Sequence, residues 1–230
     1  MPVPRAQPKI VVYGPVRSPF IEKVTLALAL KGLAHECVEP AGPDDFRRWN
    51  PENGLLPVMD ADGERVADSS AILDWLDERF PDPPLSARDS WTARSQRMLE
   101  VWTGETFYYY WVRWLRAEIE SGRRRPPDAS APGGDLARLG ILSHVGELLP
   151  ARDSRGRGMG PEFARRLDDL AGFLGERPYY YADRIGRADL TVVAFLRSLQ
   201  SGMIPGGPAL LAARPTLVAL MDRVAADTTR

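Results

Sequence analysis

Residues 10–39 read IVVYGPVRSPFIEKVTLALALKGLAHECVE, and this stretch decides the architecture. Ile10-Val11-Val12 is a short β-branched run closed by Gly14-Pro15, which predicts a buried strand over residues 9–13. Ser18-Pro19 then opens a helix, with serine at the N-cap and proline at the first helical position, where a missing N–H costs nothing. Phe20, Val24, Ala27, Leu28 and Lys31 follow at helical spacing, and Gly32 ends the run. Residues 34–39 predict a second strand carrying Cys37 and Val38, with Cys37 expected as a buried, inert thiol.

Working outward, residues 44–49 form a short helix before Asn50-Pro51. Pro57-Val58-Met59 and Glu64-Arg65-Val66-Ala67 flank Asp60-Ala61-Asp62-Gly63, which predicts a hairpin with a four-residue turn. Asp68 or Ser69 caps the next helix, whose Ile72, Leu73, Leu76 and Phe80 share one face. The order β-α-β-α-β-β-α implies a four-strand mixed sheet with helices on its faces.

Pro81-Asp82-Pro83-Pro84 breaks this pattern, and every long segment beyond it has helical periodicity. Residues 90 to about 121 read as one long helix with an apolar stripe of Met98, Val101, Tyr108, Val112 and Leu115. Further helices are expected over residues 135–149, 161–175, 188–200 and 216–226. Residues 123–134 and 152–160 read as loops. The chain therefore divides into an α/β unit over residues 1–82, a linker over 83–89 and an all-helical unit over 90–230.

Composition narrows the function classes. Hydrophobic residues are 44% and charged residues 27% of the 230, which excludes a disordered or collagen-like chain. Thirty basic residues against 31 acidic ones leave no chain-wide attraction to nucleic acid or anionic lipid. The run Arg123-Arg124-Arg125 beside Pro126-Pro127 reads as a solvated loop. Cys37 is the single cysteine, and His35 and His144 are the only histidines, so no disulfide and no ordinary zinc centre is expected. With no long apolar segment and no signal-like N-terminus, the expectation is a cytoplasmic protein without nucleic-acid, membrane or metal partners.

Four segments in order resemble the soluble glutathione transferase family, serine-type, nearest to its tau and zeta classes. Ser18-Pro19-Phe20 with Lys23-Val24 and Leu26-Ala27-Leu28-Ala29-Leu30-Lys31-Gly32 is similar to the family's first helix. Asn50-Pro51 with Leu55-Leu56-Pro57-Val58-Met59 resembles its Asn-Pro and Val-Pro-Val-Leu segment. Asp68-Ser69-Ser70-Ala71-Ile72 resembles Glu-Ser-x-Ala-Ile, and Gly186-Arg187-Ala188-Asp189-Leu190 resembles Ser-x-Ala-Asp-Leu. The resemblance implies a thioredoxin-like first domain, an all-α second domain and a homodimer.

It also implies roles. Ser18 would stabilise the glutathione thiolate at a helix N-terminus, where backbone N–H groups and the macrodipole favour an anion. Asp68 and Ser69 would bind the γ-glutamyl end, and a cis Leu56-Pro57 would offer the Leu56 backbone to the peptide. Phe20, Thr106, Tyr109 and Tyr110 would line the pocket for a small hydrophobic electrophile. Glutathione would be the co-substrate. The long helix, with its aromatics, fits a pocket wall and a dimer interface equally.

Two departures stand out. Leu55 occupies a position often polar in the family, so a contact to the glycyl carboxylate is missing unless Arg17, Arg47 or Arg48 supplies it. Gly186 stands where the family has Ser or Thr, with Asp189 left to bond back to the backbone. The alternatives are a zeta-like isomerase, although the Ser-Ser-Cys loop is lacking, and a scaffold that binds without turnover. A thiol reductase is disfavoured, because serine at position 18 cannot form a mixed disulfide.

Overall fold

The computed structural model describes residues 7–109, 113, 159–202 and 206–229. Strand β1 (Ile10–Tyr13) feeds helix α1 (Pro19–Leu30), followed by β2 (His35–Val38) and α2 (Pro43–Trp49). The hairpin β3 (Val58–Ala61) and β4 (Glu64–Ala67) leads into α3 (Ser69–Arg79). The sheet order is β2-β1-β3-β4, with β1 parallel to β2 and antiparallel to β3. This is the mixed four-strand sheet that the strand and helix order implied.

The hairpin turn is tighter than expected. Strand β3 runs on through Asp60 and Ala61, which pair with Arg65 and Glu64, so only Asp62 and Gly63 form the turn. Both have positive φ, 53° and 90°, the type I′ geometry whose twist matches paired strands. Gly14, at φ 150°, solves a different problem, since a Cβ there would lie 2.2 Å from Ile21 Cδ1. Its absence lets the loop between β1 and α1 close onto the helix.

Helix α1 is covered on several sides, with Ile21, Val24, Leu26, Ala27 and Leu28 buried. It packs against α3 and, more extensively, against α6 (Arg187–Gln200). The remaining described helices are α4 (Ser90–Trp102), α5 (Met159–Leu174), α7 (Gly207–Ala212) and α8 (Pro215–Thr228). One apolar cluster runs from Ile10 and Val12 in the sheet, through α1, to Val193, Leu196 and Leu220. No described helix is long and apolar enough to cross a membrane. The helix expected over residues 135–149 lies outside the described residues.

The segment after α3 is tied down at both ends. Lys31, at the end of α1, donates to Asp77 Oδ1 (3.0 Å), Phe80 O (2.6 Å) and Pro83 O (2.9 Å). Asp77 also accepts from the N–H groups of Leu85 (2.7 Å) and Ser86 (3.0 Å). Burial lowers the Lys31 pKa, and the Asp77 carboxylate opposes that effect.

The long helix is corrected in two respects. A π-helical turn, Thr103–Phe107, interrupts it after α4. Met98 and Val101 are 66% and 40% exposed, while Gln96, Leu99, Glu100, Thr103 and Phe107 are buried. Hydropathy misplaced the stripe because the buried face of α4 is partly polar. Val112 and Leu115 lie outside the described residues.

Gln96 explains the glycine at position 186. Its Oε1 accepts from Ala87 N at 3.0 Å, and a Cβ on Gly186 would lie 2.8 Å from its Nε2 and 3.0 Å from Leu85 O. Leu85 O is itself held by the Arg187 N–H at 2.8 Å. Asp189 closes the helix end instead, its buried carboxylate accepting from Gly186 N (2.9 Å) and Tyr180 N (2.8 Å). Gly186→Ser, which restores a better N-cap residue, should therefore destabilise the fold by about 1–3 kcal/mol through overpacking. Thermal melting checks this, and a raised Tm would refute the steric account.

Candidate functional site

Tyr13 pairs with Val58, and Val58 pairs with Ala67, so these three residues form one row across the sheet. The loops leaving that row carry Ser18, Leu56-Pro57 and Asp68-Ser69. Sheet register alone thus brings three separate sequence segments to one end of the sheet. Side-chain packing agrees, since a Cβ on Gly14 would lie 3.4 Å from Leu56 Cβ. Asp68 N donates to Pro57 O at 3.2 Å. The Leu56–Pro57 bond is cis, as is Asp82–Pro83.

Ser18 is the N-cap of α1 in extended conformation, φ −72° and ψ 130°, with Pro19 behind it. Its backbone is committed, the N–H to Pro15 O at 2.8 Å and the carbonyl to Glu22 N at 2.9 Å. Its half-buried side chain makes no capping hydrogen bond. The hydroxyl therefore stays available beside the positive end of a 12-residue helix.

At α3 the cap is Asp68. Its carboxylate accepts from Ser70 N (2.8 Å) and Ala71 N (3.0 Å), and its own φ is 77°. The helix start thus offers a ligand fewer backbone donors than its sequence suggests, because the capping side chain occupies two of them. The Ser69 N–H has no acceptor among the described residues.

Beneath this helix start lies a buried ionic cluster that the sequence reading missed. Lys23 of α1 donates to Ser69 Oγ (3.3 Å), Ser70 Oγ (2.8 Å) and Glu100 Oε1. Glu100 of α4 also receives the Arg187 guanidinium on its other oxygen. Arg187 continues to Asp74 at 2.6 Å, and Arg97 reaches the same carboxylate at 3.0 Å. Burial would raise the Glu100 pKa, but Lys23 and Arg187 outweigh it and hold the group at about 2. Desolvation lowers Lys23, with Glu100 opposing. One signal was present in the sequence: Lys23 sits three residues after Phe20 and next to Val24, on a helix side that is otherwise apolar.

The wall beside Ser18 is aromatic. Phe20 meets Tyr108 edge-on at 5.5 Å and Phe195 of α6 at 5.5 Å, and Phe107 joins from behind at 6.0 Å from Phe195. Burial pushes the Tyr108 phenol well above its usual range, so it stays protonated. Thr106 and Tyr109 are half-buried, and the Tyr109 hydroxyl receives Arg113 at 2.6 Å. Tyr110 lies outside the described residues. Tyr108, assigned by periodicity to the core stripe, does pack against the core, with its ring against Phe20.

Comparison with known proteins fits this arrangement. The family profile "Glutathione S-transferase, N-terminal domain" matches residues 17–79, the span from Arg17, just before Ser18, to the end of α3. A probable glutathione transferase of Aplysia californica is 32% identical over 83 residues, which is 35% of this chain and 89% of that protein. The chain belongs to the glutathione S-transferase family. Glutathione S-transferase Z1 of Arabidopsis thaliana is 40% identical over 89 residues, covering 35% of this chain and 39% of the relative. The chain thus spans well under half the length of that relative. Over 94% of the chain, a solved glutathione S-transferase from Methylobacterium radiotolerans, in complex with glutathione sulfonate, superposes with a TM-score of 0.66 at 27% identity; 90% of that structure is covered.

Within the family frame, Leu55 matters most. It is 66% exposed, in a loop shaped by Asn50 and Asn53, whose side chains bond Leu55 O and Leu55 N at 2.8 Å each. Arg48 is paired with Asp45 at 2.9 Å. Arg47 lies against this loop, 3.5 Å from where a Gly54 Cβ would sit. Neither Arg47 nor Arg17 has a carboxylate partner among the described residues. Cys37 is half-buried, and burial pushes its thiol up, away from the reactive range.

Proposed function

We propose that the chain is a glutathione transferase that joins reduced glutathione to small hydrophobic electrophiles, with Ser18 stabilising the thiolate. The observation that carries this reading is the uncommitted Ser18 hydroxyl at the start of α1, at the same end of the sheet as the start of α3. The glutathione thiol loses its proton to solvent. The resulting thiolate is held by the Ser18 hydroxyl and the positive helix end. The sulfur then attacks the electrophilic carbon, a C–S bond forms, and the leaving group departs with the electron pair of the broken bond.

The rest of the tripeptide follows from the neighbours of Ser18. Its γ-glutamyl α-carboxylate meets Ser69, and Asp68 faces its α-amino group. The Leu56 backbone runs alongside the cysteinyl unit, as one strand lies along another. Arg47 takes the glycyl carboxylate in place of the polar group missing at Leu55. Phe20 and Tyr108 face the electrophile with apolar surface, joined by Thr106, Tyr109 and Tyr110 further along. The protein acts as a homodimer, in a cytoplasmic setting.

Calorimetric titration with reduced glutathione tests the reading. Saturable binding in about the millimolar range or tighter is the expected result for a site built on a few charge-assisted hydrogen bonds. An absence of binding heat and of competition would sink the enzyme and leave a scaffold that kept the fold.

A further inference from the structure

The buried ammonium of Lys23 is spent in full. Its three N–H donors go to Ser69 Oγ, Ser70 Oγ and Glu100 Oε1, and it has no acceptor to offer. Each serine oxygen facing it must therefore accept, which sets where each hydroxyl proton can go. For Ser70 the proton has a destination, since its Oγ donates to Glu100 Oε1 at 2.6 Å. That arrangement is closed.

For Ser69 it is open. Ser69 is 4% exposed, its oxygen faces Lys23 at 3.3 Å, and its proton has no acceptor among the described residues. The Ser69 N–H is likewise unmatched, because Asp68 takes only the next two amides. Two donors on one residue, held by a neighbouring cation, make a fork for a carboxylate. The anchoring is rigid: Glu100 holds Lys23, and Arg187 holds Glu100 while also reaching Asp74 and Ser70 O (3.3 Å) on α3.

We propose that Lys23 is a positioning residue that fixes the Ser69 hydroxyl as a donor to the α-carboxylate of the γ-glutamyl group. The inference rests on the glutathione reading above and assigns to Lys23 no contact with the ligand. It makes recognition of that carboxylate depend on a side chain of α1, the helix that begins at Ser18. Burial away from water lowers the Lys23 pKa, and the Glu100 carboxylate opposes that effect and favours the ammonium.

The test compares two ligands, reduced glutathione and 4-aminobutyryl-cysteinylglycine, which lacks only the glutamyl α-carboxylate. The wild-type chain should bind glutathione more tightly by about 10- to 100-fold, the range for hydrogen bonds to a charged group. Lys23→Met should cut that ratio to a few-fold, chiefly by weakening glutathione. Ser69→Ala should do the same, and the double variant should lose little more, because the two residues act through one hydroxyl. Lys23→Arg, which keeps cationic donors, should restore part of the ratio.

A folded Lys23→Met that keeps the full ratio would overturn the proposal. So would one that weakens both ligands equally, the signature of a merely structural role. If Lys23→Met fails to fold, Lys23→Gln, which keeps a polar but uncharged side chain in the cluster, takes its place, and a retained ratio there overturns the proposal. Failure of the wild-type chain to bind glutathione at all would instead remove the site reading itself, a result distinct from the others.

Discussion

Ser18→Ala is expected to lower kcat toward a generic aryl halide by about a hundredfold, the loss typical of one preorganised donor to a developing or resident anion. Affinity for glutathione should change only a few-fold, because Ser18 meets the sulfur and none of the ligand's three charged ends. The structural risk is small, since the side chain makes no capping bond that alanine would break. Pro19 and the two backbone hydrogen bonds of Ser18 would keep the helix start intact. A second readout is the thiolate absorbance of bound glutathione followed against pH, whose midpoint should rise in the variant. Equal turnover in both proteins would remove Ser18 from the mechanism and leave the helix N-terminus to stabilise the thiolate alone.

The largest stability effect is expected at Glu100. Glu100→Ala would leave the Lys23 ammonium and the Arg187 guanidinium buried against each other without the carboxylate between them. Breaking a buried pair from one side costs about 3–5 kcal/mol. For a chain of this length that corresponds to a fall in Tm of roughly 10 °C. The pH dependence has a definite sign. The Glu100 pKa is depressed in the folded state, from 4.5 to about 2. Its stabilisation is therefore complete above its unfolded value and is lost as pH falls toward the folded one. Melting curves of the wild-type chain should decline over that acid window, and those of Glu100→Ala should decline less. A variant that melts within a degree or two of wild type would show that the cluster relaxes without its centre.

The first 80 residues were legible because their signals are local and agree with one another. Proline after serine, an Asp-Gly turn and alternating apolar runs each fix a boundary without help from distant chain. The hairpin turn was read two residues too long, since Asp60 and Ala61 carry no mark separating strand from turn. The helical half was less legible, and α4 shows why. Its buried face holds Gln96 and Glu100, which suit the interior only because Ala87, Lys23 and Arg187 come to meet them from other parts of the chain. Hydropathy along one segment carries no record of such partners, so Met98 and Val101 were placed inside. The same limit hid Lys23, whose burial is compensated 77 residues away. It also hid the reason for Gly186, where the local rule favours serine and a side chain from α4 forbids it.

The π-helical turn at Thr103–Phe107 gives the helix a phase slip. Upstream, Gln96 and Glu100 lock the rod against the rest of the fold. Downstream, each residue arrives about 100° from where unbroken α-helical counting would put it, because a wider turn uses one more residue. Which ring stands over Phe20 is thus set by how many residues the turn holds, as well as by which residues follow it. Removing one residue there would re-index the wall without altering any aromatic side chain. Length, in this short segment, is a variable of the pocket in its own right.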